Sequence, residues 1–541
     1  MVRSGWMFRQ LITPVADSLP ASFLIATIPI ATVLVFLGIM RRPAWQASAA
    51  GLVVALLLAT TIWELPLGIA LNSIAAGATF AAWPVMWIVV NALFLYNITV
   101  ASGHFAAFRN WMIAHLPDDR RVVLVVVGFS FGCLLEGIAG FGAPIAITSA
   151  LLIMLGFGAL EAVTFTLIFN TAPVAFGALG SPVITLSAVT QLSDVALGAM
   201  IGRQLPFIAF ILPFYVMIAY CGVRGLKAVW PVLAVSGGSF ALMQFISSNM
   251  LGYALTDVLS SLTSLALTLA FVKIWRPAPD PEFILTYRQK TTENSGEASR
   301  SPWQGWVPWS ILSVVVILWV HFEVNLFGQV QLSWPGLHDQ VFITTYDRPY
   351  AAVWTFQPLA TGTAIMAATS LFMLLCRLSP RQICVALLST VVQVRFSFLT
   401  TVLIVGLAYL MNYSGITYTL GIGVASVGLF FPLISPFLGW LAVFLSGSDT
   451  SGNALFGNLQ VVAARKLDLD PVLMAATNAS GGVMGKMISP QNISTGTSTT
   501  ELRGQEGNVL SKTFWHSVFL TFLLGLIVVV QQFLTPWIIP H

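Results

Sequence analysis

Long runs without a single charged residue limit most strongly what this chain can fold into. A helix needs roughly 20 apolar residues to cross the hydrocarbon layer of a membrane, and several of these runs are long enough for two helices. Only 8% of the residues are charged, against about 25% in soluble domains. The pattern predicts an all-α integral membrane protein with about 12 to 14 transmembrane or re-entrant helices. The uncharged runs are 18–40, 43–63, 65–108, 204–223, 228–256, 349–376, 396–448 and 513–541.

Basic residues predict the orientation of the chain, because cytoplasmic loops are enriched in Lys and Arg. The apolar run 22–40 lacks a small-residue cleavage pattern and ends at Arg41 and Arg42. We interpret it as a retained first helix rather than a signal peptide. When the basic clusters are placed inside, the N-terminus and residues 327–353 lie outside.

A long hydrophilic connector divides the chain. Residues 274–306 contain three prolines in close succession and charges of both signs, without an apolar period. This composition is typical of a solvated linker. We predict a cytoplasmic linker at 274–306, between a first membrane half at 1–273 and a second at 307–541.

An internal repeat supports this division. Residues 170–182 read NTAPVAFGALGSP and residues 478–490 read NASGGVMGKMISP, at an offset of 308. A block upstream, LEG in one copy and LSG in the other, matches at an offset of 310. Polar segments interrupted by Gly and Pro at matching positions are typical of a transporter binding site. We predict two repeat segments with broken helices, at 135–182 and 445–492.

Charge also predicts whether the two copies of the repeat are inverted or parallel in the membrane. Between its two blocks the second copy carries Arg465 and Lys466, whereas the first has no Lys or Arg there and only Glu161. Lys and Arg set orientation and acids contribute little, so corresponding loops should lie on opposite sides of the membrane. This favours inverted repeats over parallel ones.

A glycine-rich stretch in the first copy carries an acid. Residues 132–144 read GCLLEGIAGFGAP, a composition that argues against a continuous straight helix. Broken helices at membrane depth can present positive N-terminal ends to anions. Glu136 lies beside the expected break and is a candidate proton-carrying residue. The alternative is an interfacial Glu at a helix end.

The second copy carries a polar octapeptide. Residues 446–453 read SGSDTSGN, and 53 uncharged residues precede Asp449. We expect the turn of a re-entrant hairpin or an unwound helix, although a surface loop could have the same composition. Ser448, Thr450 and Asn453 can hydrogen-bond a carboxylate or a hydroxyl. Asp449 is a candidate for binding a coupling cation or relaying a proton.

Lys486 is the simplest candidate for a buried cation. It lies in GGVMGKMISP, with apolar residues before and after it. We expect it to pair with an anionic substrate or with Asp449, the alternative being a side chain that snorkels to the interface. The offset of 308 aligns it with uncharged Ala178. Arg395, the other cation near membrane depth, fits an interfacial anchor better.

Other classes of function lack their motifs. No nucleotide loop, nucleophile elbow or zincin pattern is present. The six histidines and four cysteines show neither metal-ligand spacing nor a CxxC pair. The net charge of +4 reflects loop residues rather than a nucleic-acid surface. We expect a transporter rather than an enzyme, with no metal, cofactor or nucleic acid, driven by an ion gradient.

Four blocks of the sequence resemble a known family. They read GCLLEGIAGFGAPIAI, FNTAPVAFGALGSPVI, LSGSDTSGNALFGNLQVVAA and NASGGVMGKMISPQNIS. They look like the signature blocks of the L-lactate permease family, which includes glycolate permeases, and the resemblance extends over essentially the whole chain. It implies a multi-pass inner (plasma) membrane transporter that takes up L-lactate, D-lactate or glycolate with protons.

The resemblance also implies which residues form the site. The matched segments are Glu136, 140–144, 170–173, 448–453, 478–482 and 486–491. Within them the expected proton-coupling residues are Glu136 and Asp449. The expected substrate-binding residues are Gly140, Gly142, Asn170, Thr171, Ser448, Thr450, Asn453, Asn478, Ser480, Lys486 and Gln491. A sodium-coupled carboxylate transporter and, less well, an anion channel remain alternatives, and the oligomeric state is not predicted.

Overall fold

The protein is built almost entirely of helices. The computed structural model describes residues 7–40, 42–138, 143–284, 301–498, 500–502 and 505–540. The helices before the linker are α1 (Leu19–Ala26), α2 (Ile28–Leu34), α3 (Ala44–Thr61), α4 (Leu67–Phe80), α5 (Trp87–Ala101), α6 (His104–Ala114), α7 (Arg120–Val123), α8 (Gly132–Ile138), α9 (Ala143–Met154), α10 (Ala159–Phe169), α11 (Gly177–Thr190), α12 (Asp194–Ile246) and α13 (Thr256–Ile274).

Nine further helices follow the linker in the described part of the chain. They are α14 (Val307–His321), α15 (Thr361–Leu375), α16 (Pro380–Ser414), α17 (Ile416–Val424), α18 (Phe431–Ser446), α19 (Asp449–Lys466), α20 (Pro471–Lys486), α21 (Pro490–Ser498) and α22 (Glu506–Phe533). Segments of π-helix join some helices into longer rods, as between α7 and α8 at Leu124–Phe131.

Eight helical rods in the described chain are long and apolar enough to cross a membrane. A ninth consists of α10 and α11, which are bent by 62° at their junction. Shorter apolar helices lie at Leu19–Leu34, Pro144–Met154, Trp303–Trp319 and Thr361–Leu375. The predicted all-helical membrane fold is confirmed, and the predicted segments divide into full-length and shorter apolar helices. The full-length rods are Ala44–Thr61, Leu67–Ala101, Arg120–Ile138, Asp194–Leu251, Tyr253–Ile274, Pro380–Ser414, Ile416–Ser446 and Glu506–Phe533.

Two small sheets accompany the helices. The first contains β1 (Phe8–Arg9), β3 (Val341–Ile343) and β4 (Arg348–Pro349), and the second pairs β2 (Val330–Ser333) with β5 (Val353–Phe356). β1 runs parallel to β3 and β4 antiparallel to it. The N-terminal segment therefore lies on the same side of the molecule as residues 327–353, which agrees with the orientation predicted from the basic residues.

Both repeat segments contain interrupted helices. α18 ends at Ser446, Gly447 adopts a left-handed conformation with φ of 72°, and Ser448 caps α19. The chain therefore turns within the polar octapeptide, but the residues from Asp449 onward are helical, and re-entry into the membrane stays a prediction. In the first repeat segment, α10 ends before Asn170, and the chain has positive φ from Ala178 to Gly180. The residues between α8 and α9, 139–142, lie outside the described part.

Helix α20 of the second repeat segment and α18, most of which precedes that segment, pack with their backbones in close contact. A Cβ added at Gly481 would overlap the carbonyl oxygen of Pro436, and one added at Gly485 would overlap that of Trp440. Glycines four residues apart on one helix face allow this approach, which is a common device in membrane proteins. The polar helices α19 and α20 are thereby held inside the protein, where nearly all their side chains are buried.

We expect Gly485→Ala to lower the thermal stability of the purified protein. The added methyl group would meet backbone rather than a movable side chain, and such overpacking costs about 1–3 kcal/mol. Tm in detergent measures the effect. Gly507→Ala in α22 is the matched control, because no atom lies within 4 Å of the Cβ it would add. Equal Tm values for the two variants would contradict the close contact between α18 and α20.

The start of the linker packs against Arg121, at the beginning of α7. Arg121 Nη2 lies 2.6 Å from Asp119 Oδ2, and Arg121 Nη1 lies 3.8 Å from Asp280 Oδ2. The same guanidinium lies over the ring of Phe283, 4.6 Å from its centroid. Residues 285–300 of the predicted linker are outside the described part, and the division into two membrane halves stays a prediction.

Candidate functional site

Lys486 and Glu136 form a buried ion pair between the two repeat segments. Lys486 is the last residue of α20, and Glu136 lies in α8, 350 positions earlier. The ammonium donates to Glu136 Oε1. Lys486 is 5% exposed and Glu136 2% exposed. The pattern of the sequence predicted an anionic substrate or Asp449 as the partner of Lys486, and did not predict the contact with Glu136.

The other oxygen of Glu136 is also bonded. The side-chain amide of Asn170 donates to Glu136 Oε2 at 3.0 Å. Asn170 is available for this contact because α10 ends just before it, at the break between α10 and α11. Gly177, the first residue of α11, leaves room for the carboxylate, since a Cβ there would lie 3.2 Å from Glu136 Oε1. A buried ion pair is tolerated only when its remaining polar atoms are satisfied in this way.

Asp449 is a second buried acid near Lys486. Asn453 donates to Asp449 Oδ2 at 3.2 Å, one helical turn further along α19. Asp449 Oδ1 has no hydrogen-bond partner among the described residues. It packs instead against Gly482, where an added Cβ would overlap it. Gly482 precedes Lys486 by one turn of α20, which places the Asp449 carboxylate near the ammonium. The carboxylate acts on the ammonium electrostatically without contacting it.

Amide side chains extend this cluster into the protein. Asn478 donates to Asn453 Oδ1 at 2.9 Å and to the carbonyl of Gly452 at 3.3 Å. Gln460 in turn donates to Asn478 Oδ1 at 3.3 Å and accepts from Ser435 at 2.8 Å. Such a connected network fixes the orientation of every amide in it.

Contacts from α19 tie the two repeat segments together. The hydroxyls of Thr450 and Ser181 lie 3.4 Å apart, and Asn453 donates to the carbonyl of Pro182 at 3.2 Å. Ser181 and Pro182 belong to α11, in the first repeat segment. Predicted residues of both copies therefore meet in one buried region, with Glu136, Asn170 and Lys486 in direct contact.

Three other predicted residues make hydrogen bonds with groups outside the ion pair. The hydroxyl of Thr171 donates to the carbonyl of Ile168, 2.7 Å away at the end of its own helix. Ser448 accepts from the backbone N–H of Ser451 as the cap of α19. Ser480 donates to Gln204 of α12 at 2.6 Å. These three side chains stabilise the helices around the ion pair.

Of the remaining predicted residues, the structure describes Gln491 alone. Gly140 and Gly142 lie outside the described residues. Gln491 is exposed and lines a cavity of about 1010 Å³. Ser448, Ser451 and Arg42 also line this cavity, which therefore opens beside the turn between α18 and α19. Arg42 belongs to a cluster predicted to be cytoplasmic, so the cavity lies on the side that the sequence predicts to be cytoplasmic.

Sequence reasoning missed Asp257, a third acid of this region. It is fully buried in the first turn of α13, and an added Cβ at Gly137, next to Glu136, would lie 3.3 Å from Asp257 Oδ2. A signal was present in the sequence. Asp257 separates two uncharged runs, 228–256 and 258–272, so it is a single charge at membrane depth.

Comparison with known proteins agrees with the resemblance of the sequence blocks. A family model described as L-lactate permease matches residues 22–535. The glycolate permease GlcA of Escherichia coli (strain K12) is 39% identical over 538 residues, which cover 95% of this chain and 96% of that protein. An L-lactate permease of Bacillus subtilis (strain 168) is 38% identical over 561 residues, covering 98% and 99%.

Solved structures give a more distant likeness. The YdaH transporter of Alcanivorax borkumensis is 13% identical, with a TM-score of 0.44 over 85% of this chain and 87% of that one. MtrF of Neisseria gonorrhoeae is also 13% identical, with a TM-score of 0.46 over 86% and 84%. The family model and the two permeases, by contrast, match nearly the whole chain. This protein belongs to the L-lactate permease family.

Proposed function

We propose that the protein is a secondary active transporter that takes up 2-hydroxymonocarboxylates, such as L-lactate, D-lactate and glycolate, with protons across the inner (plasma) membrane. The observation that carries the proposal is the buried pair of Lys486 and Glu136. It lies between the repeat segments of a chain whose relatives are named lactate and glycolate permeases.

Lys486 is suited to bind the carboxylate of such a substrate. Its ammonium is buried and faces three acids, Glu136, Asp257 and Asp449. A substrate carboxylate would replace Glu136 as the partner of the ammonium. Asn170, which now donates to Glu136, would become free to bond the substrate hydroxyl. One buried cation matches one carboxylate, which favours monocarboxylates over dicarboxylates.

Charge balance supports proton coupling. Lys486 and Glu136 together carry no net charge, and an unpaired buried charge is costly. A substrate anion on Lys486 would leave Glu136 as an uncompensated carboxylate unless Glu136 took up a proton. A proton that enters with each monocarboxylate keeps the site neutral. Asp449, which also acts on Lys486, is the other acid that could carry this proton.

The broken helices suggest how access could alternate. Transporters built from repeats with interrupted helices commonly move one repeat pair against the remaining helices, by rocking or by an elevator motion. Here the moving unit would contain 135–182 and 445–492, proposed to be inverted copies. The cavity beside Ser448 and Gln491 would then be the exit toward the cytoplasm.

Uptake into proteoliposomes tests the proposal. We expect labelled L-lactate to accumulate when the outside is made acidic in the absence of sodium, because the proton gradient supplies the free energy. Collapse of the gradient with a protonophore should abolish accumulation. Uptake that is unchanged by the protonophore would exclude proton coupling, and uptake that requires sodium would favour the sodium-coupled alternative.

A competition panel tests the substrate class. Unlabelled L-lactate, D-lactate and glycolate should reduce the uptake of labelled L-lactate. Succinate should not, because Lys486 is the one cation that acts on Glu136, Asp257 and Asp449 among the described residues and it would leave the second carboxylate without a partner. Pyruvate, which lacks the hydroxyl, should compete less well than lactate if Asn170 bonds that group. Strong inhibition by succinate would contradict the assignment to monocarboxylates.

A further inference from the structure

Asp257 is a buried acid without a hydrogen bond. Neither of its carboxyl oxygens has a partner among the described residues, and the residue is fully buried. It packs against the backbone of Gly137, next to Glu136 in the chain. An ionised carboxylate in such a setting would lack any compensating donor, so the group is best accommodated with a proton bound.

The charges around Asp257 come from two helices. Among the described residues, the titratable groups that act on it are Glu136 and Cys133 of α8 and Lys486 of α20. Lys486 already donates to Glu136. The Lys486 ammonium therefore acts electrostatically on both Glu136 and Asp257. A change in the charge of Glu136 changes the free energy of ionising Asp257.

Buried hydroxyls continue from Asp257 along one face of α13. Ser261, Ser264 and Thr268 follow at helical spacing, so all four side chains point to the same side. Ser264 bonds the hydroxyls of Ser130 and Ser236 at 2.8 and 3.2 Å. The hydroxyls of Ser261 and Thr268, by contrast, have no partner among the described residues, although both are fully buried.

This row leads toward the linker end of α13. Thr268 lies one helical turn before Val272, which lines a cavity of about 520 Å³. Lys273, Arg276 and Asp280 line the same cavity and belong to the side of the molecule that carries the linker. The row therefore extends from Asp257, beside the buried ion pair, to within one helical turn of a cavity on the side predicted to be cytoplasmic.

We propose that Asp257 and the hydroxyls of Ser261, Ser264 and Thr268 form the route by which the co-transported proton leaves the Lys486–Glu136 site. The inference rests on the proposed proton-coupled function and identifies the residues that carry its proton. A hydroxyl can donate and accept at the same time. Water between successive hydroxyls, which are about 6 Å apart along the helix, completes the path.

The steps balance in protons and charge. When the substrate carboxylate binds Lys486, the hydrogen bond from Lys486 to Glu136 breaks and Glu136 takes up a proton from the entry side. After the substrate is released, Glu136 gives this proton to the carboxyl oxygen of Asp257 that does not carry a proton. Asp257 gives its own proton to the row and stays neutral. The ion pair between Lys486 and Glu136 then forms again.

Asp257→Asn tests this route in proteoliposomes that carry the full-length protein. The amide keeps the shape of the neutral acid but cannot pass a proton on. We expect uptake driven by a pH gradient to fall by about 100-fold, the size of a lost proton-transfer step. Exchange of labelled for unlabelled lactate, which needs no net proton release, should fall far less. Wild-type protein in the same assay separates a failure of the proposed function from a failure of the route.

Matched controls keep the result interpretable. Asp194→Asn, at the start of α12 and bonded to Tyr253, should leave both assays unchanged. If Asp257→Asn does not fold, Thr268→Val and Thr263→Val form a second pair on α13. Thr268 is in the row and Thr263 is outside it, so only the former should slow gradient-driven uptake relative to exchange. Normal gradient-driven uptake by Asp257→Asn, or equal losses of uptake and exchange, would overturn the route, as would identical behaviour of the two threonine variants.

Discussion

Replacement of Lys486 by alanine is expected to abolish uptake while leaving the protein inserted in the membrane. The variant loses the buried cation proposed to bind the substrate carboxylate, and truncation of one partner of a buried charge pair costs about 3 kcal/mol or more, which is about 100-fold in affinity. Labelled-lactate uptake, normalised to the amount of inserted protein, measures the effect.

Two further variants separate binding from folding. Lys486→Ala leaves Glu136 buried without a counter-ion, which can itself reduce stability. The double variant Lys486→Ala with Glu136→Gln removes this unpaired charge, so its Tm should recover while uptake stays absent. Lys466→Ala, an exposed residue at the end of α19, is the matched control and should transport normally. Normal uptake by Lys486→Ala would remove this residue from the site.

Replacement of Glu136 by glutamine is expected to tighten substrate binding and to stop net transport. In the wild type, lactate must displace Glu136 from Lys486. The loss of a competing charged hydrogen bond worth about 1.5 kcal/mol corresponds to about tenfold tighter binding. Release is then impaired, because a neutral amide cannot take the ammonium back from the substrate. Lactate-induced shifts of Tm report binding, and gradient-driven uptake reports net transport.

Glu161→Gln is the matched control for this change. Glu161 is an exposed acid in the first turn of α10, so its amide variant should bind and transport like the wild type. Weaker lactate binding by Glu136→Gln would mean that Glu136 contacts the substrate rather than competing with it. Net uptake at the wild-type rate would show that Glu136 carries no proton in the cycle.

The expectations from sequence were accurate where the signal is local. Hydropathy is summed along one stretch of chain, so the uncharged runs predicted membrane helices without knowledge of their neighbours. Glycine and proline act on their own backbone, and the interruptions near Asn170 and Gly447 were found where the composition indicated. The family was predicted for the same reason, because its blocks are contiguous in sequence.

The partners within the site could not be read from sequence. Lys486 and Glu136 are 350 positions apart, and their contact depends on how α8 and α20 pack. The sequence predicted Asp449 or an anionic substrate as the partner of Lys486. In the structure Lys486 contacts Glu136, and Asp449 acts on the ammonium without contacting it. No local sequence pattern distinguishes these two arrangements.

The sequence by itself determined that this is a helical membrane protein of the L-lactate permease family and which polar segments were candidates for burial, because the cost of exposing a polar or charged group to lipid applies to each segment separately. Only the tertiary structure decided which of three acids neutralises Lys486, and that Asp257, the first of a row of polar residues along α13, lies beside that pair. Electrostatic pairing depends on distances across the fold, and these are fixed when the helices pack.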